Sequence, residues 1–372
     1  MPDTGHSLKS TLDRIARLPS RLRSPQATAP PRKILIMQAC CLGQVMLTTP
    51  LLAALSEGFP EARIDWAVSD WALPAIGVNP RLTRIIRTGT GTLDSSSREE
   101  IRALTERLRG ENYDTCFLLS GSGNAKLAST QADIPRIFEL DGGRKTKGPA
   151  TNEQLAARRF LSLAAAAGVD PAIIESVEME FEPSDVDRAK IARWLVEEFD
   201  WLGDAPLVVL HPGGGDNPSV VNLDKRWPAH RFARLANHLM RTYGARVVVA
   251  GTAEERVVAE QVVGMMSFPA ANLTGWLGLG ELGALCELAD LYVGNHVGST
   301  YIAAATGCPT LAIYGPTDPA IYGPYMINGR VQTLWQPYDG TFDWAKGVSV
   351  EEASAAADGL MSEQMQSTAA AP

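Results

Sequence analysis

The turn at residues 294–300 is the part of the sequence best suited to bind a phosphate group. A short apolar strand is predicted before it, and a helix is predicted to start near Gly298. Backbone N–H groups in the first turn of a helix lack intrahelical partners, so they attract anions. Ser299 and Thr300 add two hydroxyl groups at the same point. This pattern predicts a phosphate-binding turn, although an ordinary core βαβ unit can share it.

A second glycine-rich turn closes another apolar run of the chain. It contains His211, Gly213 and Gly214, and glycines let a phosphate or a sugar approach the backbone closely. Lys225 follows within a polar, irregular segment, where its ammonium group can neutralise a phosphate. A solvated surface charge is the alternative interpretation of this lysine.

Both turns lie at the ends of predicted strands, and strands alternate with helices through most of the chain. Apolar runs predict strands near residues 34–37, 63–68, 84–87, 114–119, 207–210, 246–250 and 289–294. Such alternation is typical of doubly wound parallel sheets, which bind ligands beyond the carboxyl ends of their strands. The predicted fold class is therefore α/β, with two Rossmann-like doubly wound parallel-sheet domains facing a cleft.

The predicted domain boundaries follow this alternation. They are a basic flexible leader (1–32), an N-terminal domain (33–182), a helix and linker (183–204), a C-terminal domain (205–347), a C-terminal helix (348–362) and a disordered tail (363–372). Periodicity also predicts a loop over 38–44, one helix over 45–58, a strand over 177–181 and a final helix that ends near Met361.

Composition excludes several classes of protein. An apolar content of 45% and a charged content of 20% are ordinary for a globular protein. The net charge of -8 argues against a nucleic-acid-binding protein. The five cysteines lack metal-ligand spacing, and we predict reduced thiols, including the adjacent Cys40 and Cys41. No metal site is predicted.

The first 33 residues differ from the rest, because they carry seven Lys or Arg residues against two Asp residues. Leu8, Leu12, Ile15 and Leu22 have roughly helical spacing between the basic residues. One interpretation is an amphipathic helix over residues 8–23 that lies on an anionic membrane face. The other is a disordered basic leader, since Pro19 interrupts the pattern.

Three motifs in order give the sequence a more specific resemblance. The first spans residues 33–63, with Leu42-Gly43 and Pro50 in its core; the second joins His211-Pro212-Gly213 to residues 225–232; the third spans residues 294–319. Together they resemble glycosyltransferase family 9, the ADP-heptose:lipopolysaccharide heptosyltransferases and their relatives. The resemblance extends over about residues 33–362 and implies the two-domain GT-B fold.

The resemblance implies that the two domains on either side of the cleft bind different substrates. The second domain would bind the nucleotide-sugar donor and the first domain the acceptor, and the reaction would invert the anomeric centre without a metal or cofactor. Lys225 would act on the diphosphate during catalysis. The implied donor-binding residues are His211, Gly213, Gly214, Lys225, Glu254, Glu255, Asn295, His296, Gly298, Ser299 and Thr300. First-turn helix acids are the alternative interpretation of Glu254 and Glu255.

Three positions depart from the family pattern. Gln44 stands where the family has an aspartate base, and an amide cannot accept a proton at neutral pH. In the third motif His296 replaces an acid and Tyr301 replaces a histidine. Because histidine ordinarily titrates near neutrality, His296 is the predicted alternative base.

The predicted function is transfer of a heptose or related sugar from a nucleoside-diphosphate donor, ADP-linked by resemblance, to a glycan or lipid-linked acceptor. The alternative is a catalytically degenerate nucleotide-sugar-binding or regulatory protein, because the usual base is absent. An epimerase of similar architecture is a third interpretation. The expected location is cytoplasmic, with peripheral contact to the inner membrane face through residues 8–23 and no nucleic-acid partner.

Overall fold

The computed structural model describes residues 29–140, 155–214, 216–217, 220–327 and 330–370. Two parallel sheets form within this part of the chain, one in each half. The predicted basic leader up to residue 28 lies outside the described residues, as do residues 141–154. No helix of the described residues is long and apolar enough to cross a membrane.

The first sheet has five parallel strands in the order β3-β2-β1-β4-β5. Its strands are β1 (Lys33–Met37), β2 (Arg63–Val68), β3 (Arg84–Arg87), β4 (Thr115–Leu118) and β5 (Arg136–Glu139). The helices of this half are α1 (Leu42–Met46), α2 (Thr49–Gly58), α3 (Arg98–Glu111), α4 (Gly123–Gln131), α5 (Ala156–Ala167) and α6 (Pro171–Ser176). Apolar clusters cover both faces of the sheet, which makes it doubly wound.

The second sheet has six parallel strands in the order β10-β9-β6-β11-β12-β13. They are β6 (Leu207–His211), β9 (Arg246–Val249), β10 (Ala271–Asn272), β11 (Leu291–Asn295), β12 (Thr310–Ile313) and β13 (Val331–Leu334), with a separate short hairpin of β7 (Asp216–Asn217) and β8 (Val220–Val221). Its helices are α7 (Asp185–Glu197), α8 (Ala229–Tyr243), α9 (Arg256–Met265), α10 (Leu279–Leu288), α11 (Gly298–Ala305), α12 (Pro319–Tyr322) and α13 (Val350–Ala370).

Helix α11 links the two halves, because its faces pack into different cores. Tyr301, Ile302 and Ala304 belong to the apolar cluster of the first half. Ala303 belongs to a cluster of the second half. The start of α11 therefore lies where the two sheets meet, with the carboxyl end of β11 directly before it.

Four local predictions are wrong. The predicted helix over 45–58 is two helices, α1 and α2, because the chain turns at Leu47 and Thr48 before Pro50 opens α2. Residues 177–181 form no strand, since this segment crosses between the domains, and one of its backbone N–H groups bonds outside the sheets, to the carbonyl of Tyr325. Strand β5 was not predicted. Helix α13 continues to Ala370 rather than ending near Met361, so most of the predicted tail is helical.

Candidate active site

A cavity of about 420 Å³ opens between the two halves. The first half supplies Cys41, Leu42, Gly43, Gln44 and Trp71 to its wall. The second half supplies His211, Gly214, Lys225, Thr252, Glu255, Leu279, His296, Val297, Gly298, Ser299, Tyr301, Thr317 and Tyr322. The carboxyl ends of β6 and β11 and the first turn of α11 thus converge on one space, as the sequence predicts.

The first turn of α11 is the anion-binding element of this wall. Gly298 and Ser299 are its first two residues, and Val297 precedes them in an extended conformation. The N–H groups of Gly298 and Ser299, at the start of the helix, have no intrahelical acceptor, so they remain available to a phosphate. No acidic residue lies in this turn to compete for them.

Asn295, at the end of β11, holds three loops of the donor wall together. Its side-chain amide donates to the carbonyl oxygens of Pro212 and Gly213, both at 2.9 Å. Its side-chain oxygen accepts from the backbone N–H of Trp227 at 2.9 Å. Because Asn295 is fully buried with every polar group engaged, it supports the site and does not reach the cavity. Asn295, predicted among the donor-binding residues, therefore lies behind the cavity wall and holds its loops.

Thr300 also turns away from the cavity. Its hydroxyl donates to the carbonyl oxygen of Asn295 at 2.6 Å, and its backbone N–H donates to Val297 at 3.2 Å. The side chain is fully buried. The predicted contact between this hydroxyl and a donor is therefore wrong, since neighbouring backbone groups already satisfy it.

Two glycines permit close packing that a side chain would prevent. Gly214 has a φ of +104°, and a Cβ atom there would lie 1.8 Å from Cγ1 of Val297. A Cβ atom on Gly298 would lie 2.2 Å from Cδ2 of Leu42, which belongs to the opposite half. Gly213 lies beside Gly214, and its carbonyl accepts the bond from Asn295.

His211, Ser299 and Glu255 form a chain of hydrogen bonds on the cavity wall. His211 Nδ1 contacts Ser299 Oγ, and His211 Nε2 lies 2.9 Å from Glu255 Oε2. Tyr292 Oη lies 3.0 Å from Ser299 Oγ and 3.2 Å from His211 Nδ1. The three residues come from the end of β6, the start of α11 and a short turn after β9, so the fold assembles them from distant segments.

The two neighbouring glutamates have different surroundings. Glu255 accepts backbone N–H bonds from Thr252, at 2.8 Å, and from Gly214. Burial opposes ionisation of Glu255, but the charge and hydrogen bond of His211 and these N–H groups together lower its pKa to about 2. Glu254 is exposed and does not line the cavity. The carboxylate of Glu255 is therefore bonded to protein groups and is not a free acceptor for a nucleoside.

Lys225 ends a short turn, Leu223–Lys225, on the same wall. It is half-buried, and burial lowers the pKa of its ammonium group. Within the described part of the chain no carboxylate forms an ion pair with Lys225. A diphosphate in the cavity would supply the missing negative charge.

His296 does not have the properties of the predicted alternative base. Burial, together with the positive charge of Lys225, lowers the pKa of His296 from 6.5 to about 3. Its Nε2 atom lies 2.9 Å from Tyr301 Oη, and its ring stacks on Tyr314 at 4.7 Å between centroids. The prediction that His296 titrates near neutrality is wrong, because burial among aromatic rings disfavours the charged imidazole and Lys225 opposes a second positive charge.

Tyr301 and Gln44 line the same cavity from the two halves of the chain. Tyr301 Oη donates to the carbonyl of Tyr322, and its ring edge lies close to Gly43. Gln44 lies on α1 rather than on the predicted loop and lines the cavity. A carboxamide at this place can orient an acceptor hydroxyl but cannot take its proton.

The cysteine pair beside Gln44 also departs from expectation. Cys40 and Cys41, predicted to be reduced thiols, are joined by a disulfide across a cis peptide bond. Cys116, Cys286 and Cys308 are buried free thiols. Among the described residues, no group of three or more His, Cys, Asp or Glu side chains is arranged to hold a metal ion.

The relationship to known proteins agrees with this site. Residues 101–340 match the family model described as glycosyltransferase family 9 (heptosyltransferase). The chain belongs to glycosyltransferase family 9. A curated relative, lipopolysaccharide heptosyltransferase 2 of Salmonella typhimurium, is 26% identical over 319 residues, which cover 82% of this chain and 89% of the relative.

Solved structures of family-9 glycosyltransferases share the architecture of this enzyme. The family-9 glycosyl transferase of Veillonella parvula gives a TM-score of 0.74 at 22% identity, covering 89% of this chain and 97% of that one. The ADP-heptose lipopolysaccharide heptosyltransferase II of E. coli gives 0.71 at 21% identity, covering 90% and 99%. The predicted GT-B fold is confirmed.

Three features of the site in this glycosyltransferase were not predicted from its sequence. Ser299 was not connected to His211, because the two are 88 residues apart and only the folded sheet brings them together. Tyr322, whose carbonyl receives the hydroxyl of Tyr301, was not predicted. Trp71, on the acceptor side of the cavity, was not predicted either, although a tryptophan shortly after a strand could have indicated it.

Proposed function

We propose that this family-9 glycosyltransferase moves a heptose or related sugar from an ADP-linked donor to a glycan or glycolipid acceptor with inversion at the anomeric carbon. One observation carries the proposal: Lys225 and the first turn of α11 line the same cavity as Gln44 of the opposite domain. A donor diphosphate can bind Lys225 and the first turn of α11 while its sugar faces Gln44.

The donor wall supports the diphosphate half of this proposal. Lys225 provides a cation without a protein counter-ion among the described residues, and α11 provides first-turn N–H groups. These groups stabilise the negative charge that develops as the diphosphate leaves. The ADP-heptose heptosyltransferase II of E. coli shares this fold, which supports the choice of donor.

The acceptor wall supports transfer with little help from a base. Gln44 replaces the aspartate of the family pattern, and the pKa of His296, about 3, makes that imidazole a weak base. An attacking hydroxyl depends less on a strong base when the bond between the anomeric carbon and the leaving group is largely broken before the attack. We infer that Gln44 orients the acceptor hydroxyl and that stabilisation of the leaving diphosphate provides most of the rate enhancement.

The curated relatives are named for lipopolysaccharide and lipooligosaccharide, so we propose an acceptor from the core of such a glycolipid. The enzyme would then act at the cytoplasmic face of the inner membrane, with peripheral contact through residues 8–23. Truncation of residues 1–30 tests this contact. If liposome binding by the truncated enzyme equals that of the full chain, the membrane proposal fails.

The activity itself is tested with ADP-heptose and a panel of glycan acceptors. We expect acceptor-dependent release of ADP and a product whose anomeric coupling constant shows inversion. Release of ADP without any product, or retention of configuration, would contradict the proposal.

Gln44 also keeps the alternative function open, namely a protein that binds nucleotide sugar without transfer. The variant Gln44→Asp separates the two. Under the proposed function the wild-type enzyme is active and the variant changes its rate. If only the variant transfers sugar while both bind ADP, the wild-type protein is a binding protein with a disabled acceptor loop.

A further inference from the structure

Three buried side chains on the donor wall carry chemistry that the proposed function does not use. His211, Ser299 and Glu255 are 6%, 5% and 7% exposed, and all three line the cavity. Their hydrogen bonds run from the serine hydroxyl through the imidazole to the carboxylate. An imidazole held between a hydroxyl and a carboxylate is an arrangement that moves protons in many enzymes.

The direction of these bonds follows from Glu255. Its carboxylate is ionised and can only accept hydrogen bonds. It accepts them from the backbone N–H groups of Thr252 and Gly214 and from the imidazole of His211. His211 Nε2 must therefore carry a hydrogen that it donates to Glu255. This fixes the imidazole orientation and leaves Nδ1 as the atom that faces Ser299.

The hydroxyl of Ser299 then has two states. When Nδ1 is unprotonated, Ser299 donates its hydrogen to His211. When Nδ1 is protonated, Ser299 accepts from His211 and from Tyr292 Oη at 3.0 Å. Its own hydrogen then has no acceptor in this group and is free for a ligand in the cavity. Protonation of His211 thus switches Ser299 into a donor toward bound substrate.

Ser299 lies where that donor would meet a diphosphate. It is the second residue of α11, and Lys225 lines the same cavity.

We propose that Ser299, with His211 and Glu255 as positioning residues, protonates the leaving diphosphate during sugar transfer; this inference rests on the proposed function. The bond between the anomeric carbon and the β-phosphate oxygen breaks, and that oxygen keeps the electron pair. It takes the Ser299 hydrogen while Ser299 takes the hydrogen of His211 Nδ1. The acceptor oxygen bonds to the anomeric carbon and releases its proton to water, and His211 regains a proton from solvent.

This assignment accounts for a transferase without a carboxylate at Gln44. Assistance at the leaving group increases the positive character of the anomeric carbon, so a neutral hydroxyl becomes a sufficient nucleophile. The groups facing His211 are Glu255, Tyr292 and Ser299, while Lys225 and the uncharged His296 lie elsewhere on the cavity wall. Glu255 is thus the carboxylate that stabilises the protonated imidazole.

The test compares Ser299→Ala and His211→Asn with two matched controls. Ser129→Ala removes another buried hydroxyl, which bonds to the carbonyl of Ala125 at 2.9 Å in the first domain. His238→Asn removes another histidine paired with a carboxylate, Asp358 at 2.8 Å, on helix α8 and not in the cavity lining. We expect kcat to fall about 10- to 100-fold in the two site variants and to stay near wild type in the controls.

Three further tests separate this role from a structural one. The Kd of ADP should stay within about threefold of wild type, because the loss lies in the transition state. The ³¹P resonance of the β-phosphate of bound ADP should move in Ser299→Ala and not in Ser129→Ala. Gln44→Asp should not restore the kcat of Ser299→Ala, since the two residues act on opposite sides of the sugar.

The outcomes are distinguishable. If wild type transfers sugar and both site variants keep its kcat, the relay is refuted and the proposed function stands. If Gln44→Asp rescues Ser299→Ala, the serine acts on the acceptor side and the proposal is wrong. If wild type transfers no sugar from any donor, the proposed function fails. The ³¹P shift then decides alone: an unchanged β-phosphate resonance in Ser299→Ala overturns the contact.

Discussion

Asn295→Ala is the substitution that most directly perturbs the assembly of the donor wall. The side chain makes three hydrogen bonds of 2.9 Å to Pro212, Gly213 and Trp227, in two loops that share one further bond, from Arg226 Nε to the carbonyl of Gly214 at 2.7 Å. Its removal leaves two buried carbonyl groups and one buried N–H group without partners. Each such group costs about 1–3 kcal/mol, and partial entry of water reduces the sum to roughly 3–5 kcal/mol.

A loss of this size should lower the melting temperature by about 10 °C. Calorimetry measures it, with Asn237→Ala as the control. Asn237 is also buried, but its side chain accepts one backbone bond, from Ser267 at 2.7 Å, so about one third of the effect is expected. At a temperature where Asn295→Ala remains folded, ADP binding should be at least about tenfold weaker, because the glycine turn and the Lys225 loop lose their common anchor.

Two results would refute this reasoning. If Asn295→Ala melts no lower than Asn237→Ala, the three bonds do not hold the loops. If the variant is destabilised but binds ADP as tightly as wild type, Asn295 stabilises the fold without aligning the donor wall.

Three further predictions follow from the same wall. Lys225→Ala should weaken ADP binding about 10- to 100-fold by titration calorimetry, while the exposed Lys346→Ala should not; equal effects would exclude Lys225 from the diphosphate site. The pKa of His296 is about 3 when folded and near 6.5 when unfolded, so the unfolded chain binds the extra proton and stability is lost as the pH falls from 6.5 toward 3. His296→Phe should remove this dependence, so the free energy of unfolding measured with urea should fall less steeply between pH 6.5 and pH 3, by up to about 1.4 kcal/mol per pH unit. Equal pH slopes in the variant and the wild type would contradict this. Gly214→Ala should abolish donor binding even beside Val297→Ala, because a φ of +104° strains alanine after the clash is relieved; recovery in the double variant would show that the clash alone matters.

The sequence was sufficient for the architecture because buried parallel strands are short apolar runs. The runs at residues 34–37 and 207–210 became β1 and β6, central strands of the two sheets. Strand β5, over Arg136–Glu139, escaped notice because it lies at a sheet edge and half its residues are charged. In the segment 177–181 every second residue is apolar, because these residues pack between the domains. The same alternation is typical of a strand, which explains the wrong prediction.

The site was predicted in position but not in detail. The turns at 211–214 and 294–300 converge on one cavity, since both follow neighbouring strands of a parallel sheet. Which side chains face the cavity could not be predicted, because that depends on bonds between distant segments. Asn295 and Glu255 turn inward to backbone groups of the glycine loop, whereas Ser299 points toward His211.

The pKa of His296 is a further case in which sequence and structure disagree for a physical reason. An isolated histidine titrates near neutrality, so its type alone suggested a base. Stacking against Tyr314 and contact with Tyr301 bury the ring, and Lys225 adds an unfavourable charge. The Tyr314 and Lys225 neighbours cannot be assigned from spacing, since they come from segments other than the one that holds His296 and Tyr301.

A crystal structure with a non-transferable ADP-sugar analogue shows directly where the donor diphosphate binds. We expect the β-phosphate to lie within hydrogen-bond distance of Lys225 Nζ and Ser299 Oγ. The anomeric carbon should point across the cavity toward Gln44. A diphosphate bound away from the first turn of α11, or a sugar directed away from α1, would contradict it.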